Sequence, residues 1–495
     1  MKYITVEEAS KKFELSARSI RNYCAQGRIP GAVLSGKTWL IPEEAKKPER
    51  INSKSDDSSI ENNKYGNGLV SFINESPVAC FAINNVRNIL KENGYKEIKE
   101  NQKYKFNAGD KVFIVRNDTT LLAVNIGKNI NDNNVNFHII ASHADSPCFK
   151  IKPECDGVTD SYSKINVAPY GGLIAPTWLD RPLSIAGRVV INKENGVETK
   201  LVNLKDMTVV IPNVCIHFNR NINSGYEYNM AVDMVPFIAS DNKDKSFKSL
   251  LADRLNISKE EIINFDLYLY NKQSGVIWGE NSEFVSSARL DDLECVYTSL
   301  MAFKESDNDN SINILYVADN EEVGSLSRQG ADSDFLRSTL KRVCIDLNGQ
   351  YEVAVANSFL ISADNAHAVH PNKPELTDKD NKAYMNKGIA IKFNAANSYT
   401  SDAISSSIFQ KICSNAEVPF QFFTNRSDMR GGSTLGNLLL SQVSLMAVDI
   451  GLAQLAMHSS YETAGTVDIK YAIKAFKEFY QSKIEIDGNS YKIAK

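Results

Sequence analysis

The chain has 495 residues, of which 43% are hydrophobic, 23% charged and 9% aromatic, and its formal net charge is -4. That length allows two or three domains with sizeable cores, and the nearly balanced charge gives no support for whole-chain binding to nucleic acid or an anionic membrane. No apolar run approaches the ~20 residues of a membrane helix, and the start, MKYITVEEASKKFELS, lacks the apolar segment of a signal peptide. The eight cysteines are scattered without a CxxC pair, which predicts reduced thiols in a cytoplasmic protein and no membrane contact.

Residues 1–48 read as a small separate unit. Thr5 with Glu8 makes a capping box ahead of Val6, Ala9 and Phe13, predicting a short helix. Ser16 is placed to cap a second helix carrying Ile20 and Tyr23, and Gly27 to end it. VLSGKTWLIP then alternates around Ser35-Gly36-Lys37, as a β-hairpin does. Helix, turn, helix and hairpin make a winged helix-turn-helix layout. The run YITVEEASKKFELSARSIRNYCAQGRIPGAVLSGKTWLIPEEAKKP resembles the excisionase-like helix-turn-helix domains of small bacterial DNA-binding proteins. The resemblance implies that Arg18, Arg21, Arg28 and Lys37 face phosphates or base edges of DNA. Ten basic and six acidic side chains fall in the first fifty residues. A helical interaction module without DNA contact fits the same pattern.

Residues 49–64, ERINSKSDDSSIENNK, are polar and predict a flexible linker. Strand-like and helix-like stretches then alternate. FHIIASH and INILYVADN are apolar runs ending in polar residues, as buried strands of an α/β sheet do. SSARLDDLECVYTSLMAF and DIGLAQLAMHSSYE carry helical periodicity. Residues 150–282 are richer in strand and turn patterns (GRVVI, MTVVIP, FDLYLY, GVIWG). They read as a β-rich domain inserted into an α/β domain made of residues 65–149 and 283–485.

The chain has only six histidines, so each can be weighed alone. His143 ends an apolar strand, the place where open α/β sheets put their sites. Asp145, two residues on, is placed to fix its tautomer. A second strand runs into Asp319-Asn320-Glu321-Glu322. Two adjacent carboxylates there let one bind metal while its neighbour takes a proton from a water. Asp291 opens a predicted helix, where a carboxylate is also favoured for its own sake. Asp364 follows another apolar strand, and His458 lies near the end of a helical pattern. Two histidines with several carboxylates suit zinc, and two ions would need one shared carboxylate and a water.

Seven strings, ASHADSPCFKIKP, YGGLIAPTWLDRPLSIAGRVV, SARLDDL, DNEEVGS, QGADSDFL, SFLISADNAHAVHPN and QLAMHSSYETAG, resemble the aspartyl aminopeptidase family of dinuclear-zinc peptidases. The resemblance implies a zinc-peptidase α/β/α sandwich with an inserted β-rich dimerisation domain, acting on the N-terminal residue of short peptides. It implies two Zn2+ per subunit, with Co2+ or Mn2+ as alternatives. His143 and Asp364 would hold one ion, Glu322 and His458 the other, and Asp291 both. Glu321 would be the general base, Asp145 would orient His143, and His370, in the same run as His367, would stabilise the tetrahedral intermediate. Lys392 matches a lysine near the substrate's first side chain, which implies Asp or Glu there. Two positions depart from the pattern: Pro176 replaces a histidine of eukaryotic-type members, and Asn365 replaces the usual Met. The family forms large hollow oligomers built from dimers, often dodecamers, so a homo-oligomer is expected. Two further readings remain: a DNA-binding regulator using the peptidase domain as a peptide sensor or oligomeric scaffold, and two-zinc hydrolysis of N-acyl amino acids.

Overall fold

Seven buried side chains, Val6, Ala9, Phe13, Ile20, Cys24, Ile29 and Ile41, form the core of the first of two units, Met1–Ile60. The computed structural model describes residues 2–13, 15–25, 29–36, 38–47, 55–159, 161–240 and 246–494, without the side chains of 25, 55–63, 158 and 159. Val6, Ala9 and Phe13 lie three and four apart on helix Val6–Phe13, so they share its inward stripe. The capping box forms: Thr5 N donates to Glu8 Oε2 at 2.7 Å, and Glu8 N donates to Thr5 Oγ1 at 3.3 Å. At the second helix, Ala17–Ala25, Ser19 N donates to Ser16 Oγ at 3.1 Å. Strands Val33–Ser35 and Thr38–Pro42 pair as a hairpin, which Tyr3–Ile4 joins as a third strand. Gly27, Arg28 and Lys37 lie outside the described residues.

Residues 49–54 of the expected linker also lie outside them, but from Ser55 the chain is helical as far as Asn74. No glycine or proline interrupts 55–64, so a polar composition did not exclude a helix there.

In the second unit, Glu61–Lys495, nine strands form the central sheet. Their order is Phe420–Thr424, Ile389–Phe393, Met446–Gly451, Phe359–Ala363, Phe137–His143, Ile312–Ala318, Thr120–Ile126, Lys111–Arg116 and Lys96–Glu97. The middle four run parallel from Met446–Gly451 to Ile312–Ala318. Phe137–His143 and Ile312–Ala318 are buried along their whole length, which is why they read as unbroken apolar runs. Alternate side chains enter two separate cores. Ile140, Leu315 and Val317 pack with helices Ala79–Glu92, Leu290–Lys304, Ala403–Asn415 and Thr466–Gln481. Ile139, Ala141, Ile314 and Tyr316 pack with helices Phe335–Asp346 and Leu435–Gln442. The result is an α/β/α sandwich, each large buried side chain contributing about 1.5–3 kcal/mol.

A six-stranded antiparallel sheet lies between His143 and Asp291 in the chain. Its order is Gly196–Asn203, Leu183–Lys193, Ile262–Asn271, Cys148–Thr159, Tyr162–Tyr170 and Phe237–Ser240. It has its own core around Phe149, Trp178, Ile185 and Leu267. Strand Val276–Trp278 pairs instead with Phe284–Ser287, in a five-stranded sheet that also contains Glu462–Gly465, Ala453–Leu455 and Ala366–His367. DIGLAQLAMHSSYE is not the helix its spacing suggests. It belongs to strands Met446–Gly451 and Ala453–Leu455, and parallel pairing with Phe359–Ala363 overrides the local preference.

Candidate active site

The carboxyl ends of the parallel strands gather the polar residues. His143 ends one strand, Glu321 and Glu322 follow a second, and Asp364 follows a third. His458 sits in a turn after Ala453–Leu455 with φ 69°. Asp291 and Asp292 begin helix Leu290–Lys304 with non-helical backbone angles and a cis peptide between them.

These positions converge. His143 Nε2 lies 3.4 Å from Asp291 Oδ1 and 3.8 Å from Asp364 Oδ1. His458 Nε2 lies 3.5 Å from Asp291 Oδ2 and 3.3 Å from Glu322 Oε2. Asp291 therefore turns one oxygen to each imidazole. One atom apiece from His143, Asp291, Asp292 and Asp364 falls within 4.8 Å of the others, and the same holds for Asp291, Glu322 and His458. Both rings are oriented from behind. Nδ1 of His143 meets the main-chain oxygen of Asp145 at 3.0 Å, and Nδ1 of His458 that of Gly172 at 2.9 Å. A carbonyl only accepts, so Nδ1 keeps a proton, and in the neutral ring the Nε2 lone pair faces the cluster.

The donor set fits zinc. Asp291 Oδ1, Asp292 Oδ1 and Glu322 Oε1 are buried without a hydrogen-bond partner among the described residues. Carboxylates gathered this way, with two imidazole nitrogens, are costly unless a divalent cation compensates them. Electrostatics tell the same story. Burial, reinforced by Asp364, Asp145 and Asp291 and opposed by His143, pushes Glu321 up to about 8. Burial and Asp291 push Glu322 well above the usual range. Burial would depress His458, but Asp291 lifts it to about 9.

A second group of carboxylates holds the main chain of the first. Asp145 Oδ1 accepts from Glu321 N at 3.1 Å, and its Oδ2 accepts from Glu322 N at 3.1 Å and Tyr170 Oη at 2.7 Å. Asp292 Oδ2 accepts from His143 N at 3.1 Å. Glu462 Oε2 accepts from Asp291 N at 3.1 Å, and Oε1 from His458 N at 2.8 Å. Sequence reasoning missed Asp292, Glu462 and Tyr170. Asp292 carried a signal, as the second carboxylate of an Asp-Asp pair; Tyr170 carried none. Glycine is needed where the loop after Tyr170 passes the cluster. Gly171 has φ +73°, and a Cβ there would meet Glu322 Cβ at 3.1 Å.

The remaining candidates are placed as follows. Lys392 is 2% exposed; its Nζ donates to the main-chain oxygens of Asp364 and Asn365 at 2.8 and 3.1 Å and lies 3.5 Å from Asp364 Oδ2. His370 is exposed, and its Nδ1 accepts from Asn372 N at 3.2 Å. Among the described residues no hydrogen bond or ion pair joins it to the cluster. His367 is exposed, edge-on to Phe423 at 6.1 Å. Pro176 lies in the short turn of helix Ala175–Trp178. Asn365 is buried and donates to Glu294 Oε2 at 2.8 Å. In the first unit Arg18 and Arg21 are exposed, Arg21 lying 3.4 Å from Glu7.

Residues 72–480 match the family model of aminopeptidase I zinc metalloprotease (M18), and residues 3–45 match a helix-turn-helix domain. A probable M18 family aminopeptidase 2 of Clostridium novyi is 46% identical over 427 residues, covering 84% of this chain and 98% of that relative. Among solved structures, the cryo-EM structure of the Ape4 and Nbr1 complex aligns with a TM-score of 0.82 and 32% identity, covering 86% of each chain. The S. cerevisiae mApe1 dodecamer aligns with a TM-score of 0.72 and 26% identity, covering 86% of this chain and 97% of that one.

Proposed function

The chain belongs to the M18 family of zinc metalloproteases, the aminopeptidase I family, and from that premise we propose that it removes the N-terminal residue of short peptides at a two-zinc centre. The observation that carries this reading is Asp291, whose two oxygens face two separate imidazoles. His143 and Asp364 would hold one ion, Glu322 and His458 the other, and Asp291 both; cobalt or manganese suits the same ligands. When bound, the zinc pair supplies positive charge that acidifies a water and polarises the scissile carbonyl. Glu321 takes the proton of the attacking water and returns it to the leaving amine. Asp145 holds Glu321 and Glu322 through their main-chain N–H groups and fixes the His143 ring. His370 would stabilise the tetrahedral intermediate.

A preference for N-terminal Asp or Glu rests on Lys392, a buried cation beside Asp364. Its protons already have acceptors, so it would act on a substrate carboxylate by charge rather than as a free donor. A panel of free-amine and acylated substrates covering every N-terminal residue tests this preference and separates peptidase from acylase. For the base, Glu321→Gln is expected to keep its zinc content while hydrolysis falls by about 10²–10⁴. Near-normal turnover in that variant removes Glu321 from the mechanism.

We place the enzyme in the cytoplasm as a homo-oligomer. Its cysteines are unpaired, and no helix of the described residues is long and apolar enough to cross a membrane. Val214, Ile216, Phe218 and Val232 of the 150–282 insertion are exposed, Phe218 by 88%, which supports dimer contacts there. A second reading, DNA contact through residues 1–48, is favoured by the helix-turn-helix match and the exposed Arg18. A gel shift at low salt, with and without that segment, decides it; no shift removes it.

A further inference from the structure

The Glu321 carboxylate is held by nothing but its own main chain. Among the described residues it makes no hydrogen bond and no ion pair, whereas Glu322 faces His458 at 3.3 Å. Its position is therefore set by the short turn Glu321–Val323. The first N–H groups of such a turn have no partner within it, and Asp145 takes both. Its Oδ1 accepts from Glu321 N and its Oδ2 from Glu322 N, each at 3.1 Å. Asn320 leads into the turn with φ 62°.

One hydroxyl joins Asp145 to Asn320. Tyr170 Oη donates to Asp145 Oδ2 at 2.7 Å and accepts from Asn320 Nδ2 at 2.8 Å. The direction is fixed from the far side, because Asn320 Oδ1 already accepts from Ser327 Oγ at 2.8 Å and from Gln329 Nε2 at 3.0 Å. The amide then turns its N–H toward the tyrosine, whose single proton is left for Asp145. Tyr170 does not belong to the sandwich. It ends strand Tyr162–Tyr170 of the inserted sheet, with its ring edge-on to Tyr268 at 5.7 Å. In the residues that follow, the Gly172 carbonyl meets His458 Nδ1 at 2.9 Å, and Ile174 N donates to the His458 main-chain oxygen at 3.0 Å. The inserted sheet thus reaches both sides of the cluster through residues 170–174, and it reaches the turn of the base through the Tyr170 hydroxyl.

We propose that Tyr170 is a positioning residue of the hydrolysis: its hydroxyl clamps Asp145 to Asn320 and so keeps the Glu321 carboxylate aimed at the attacking water. This rests on Glu321 being the base. Tyr170→Phe would leave Asn320 Nδ2 without its acceptor and Asp145 with one donor fewer. Because the Glu321 carboxylate has no partner of its own, a looser turn displaces it, and a misplacement of about 1 Å in a reacting group costs up to about 10²-fold in rate.

Tyr170→Phe tests this in two backgrounds. In the otherwise unaltered chain at saturating zinc, kcat is expected to fall about tenfold while KM stays within about twofold. In Glu321→Gln, where the base is already gone, the same change is expected to alter the residual rate by less than about twofold. An equal fall in both backgrounds is a general loss of structure and overturns the proposal, as does an unchanged kcat in the first. Zinc competition against a chelating dye gives a readout without turnover. Asp145 also holds Glu322 N and the His143 ring, so zinc affinity is expected to weaken about tenfold in Tyr170→Phe. Near-normal turnover of Glu321→Gln by itself removes the base and not the clamp; the dye then decides alone, and unchanged zinc affinity overturns the clamp. Asn320→Asp approaches the same joint from the other side, since Asp tolerates φ 62° but offers an acceptor where Tyr170 needs a donor. Where Tyr170→Phe does not fold, Asn320→Asp takes its place in both backgrounds, with the same expected and overturning results.

Discussion

The helix-turn-helix unit and the metal cluster solve the problem of polar groups in opposite ways. In the first, polar partners are neighbours in sequence: Thr5 with Glu8, Ser16 with Ser19. In the second, residues from five distant parts of the chain meet in the interior, and three of their buried carboxylate oxygens accept no hydrogen bond among the described residues. The small unit satisfies itself. The cluster is arranged for a charge that the polypeptide does not contain, and the surrounding sandwich bears the cost of holding it open.

The largest effect should come from the residue that faces both imidazoles. Asp291→Asn keeps the shape and halves the capacity to bind cations, so both positions should weaken together. Hydrolysis is expected to fall by at least about 10³, the equivalent of ~4 kcal/mol, and zinc per chain, measured by elemental analysis, to fall below that of the parent. Full zinc content with near-normal kcat/KM would show that the two groups around Asp291 are not one shared centre.

A buried titratable group outside the cluster sharpens the contrast, because nothing there is arranged to compensate it. His138 is 1% exposed and stacks on Phe479 at 5.1 Å. Burial, opposed only by the main chain of Phe479, pushes it down to about 4 from an ordinary 6.5. The folded form thus binds the proton more weakly than the unfolded form. Its stability contribution is full above pH 6.5 and is lost as pH falls toward 4, by about 3 kcal/mol at most. His138→Leu should flatten that part of the stability-against-pH curve. Parallel curves for the parent and the variant would mean that His138 does not titrate differently on folding.

The same contrast explains what could be read from the sequence. Strands such as FHIIASH and INILYVADN were readable because burial on both faces leaves an unbroken apolar run. His143, Glu321, Glu322 and Asp364 stood out because each ends or follows such a run, Asp291 and His458 because each lies at the end of a helical pattern, and the family resemblance supplied their roles. DIGLAQLAMHSSYE was misread as helix, since its spacing is helical and its strand identity comes from a partner, Phe359–Ala363, some ninety residues away. Glu462 was passed over for a related reason. Its work is to accept two main-chain N–H groups, those of Asp291 and His458, and no side-chain pattern announces a partner that every residue carries.

Glu462 gives the next test in size. Glu462→Gln replaces one acceptor with a donor, which must then oppose either Asp291 N or His458 N. Second-sphere changes of this kind cost 10–100-fold in metal affinity, about 1.4–2.7 kcal/mol. Zinc competition against a chelating dye should show that loss, with turnover recovering when zinc is supplied in excess. Unchanged affinity would reduce Glu462 to a packing role.

The smallest expected effect probes the other half of the comparison. Thr5→Ala removes the hydroxyl that accepts from Glu8 N and leaves the Glu8 carboxylate with one partner fewer. An N-cap of this type contributes about 1 kcal/mol, a large share of what a seven-residue core can supply. Amide hydrogen exchange should therefore quicken across residues 3–45 and stay unchanged in the central sheet, and kcat and KM should not move. A change in turnover would mean that the small unit influences the metal centre, and the two regions would no longer be separate solutions to the problem of burying polar groups.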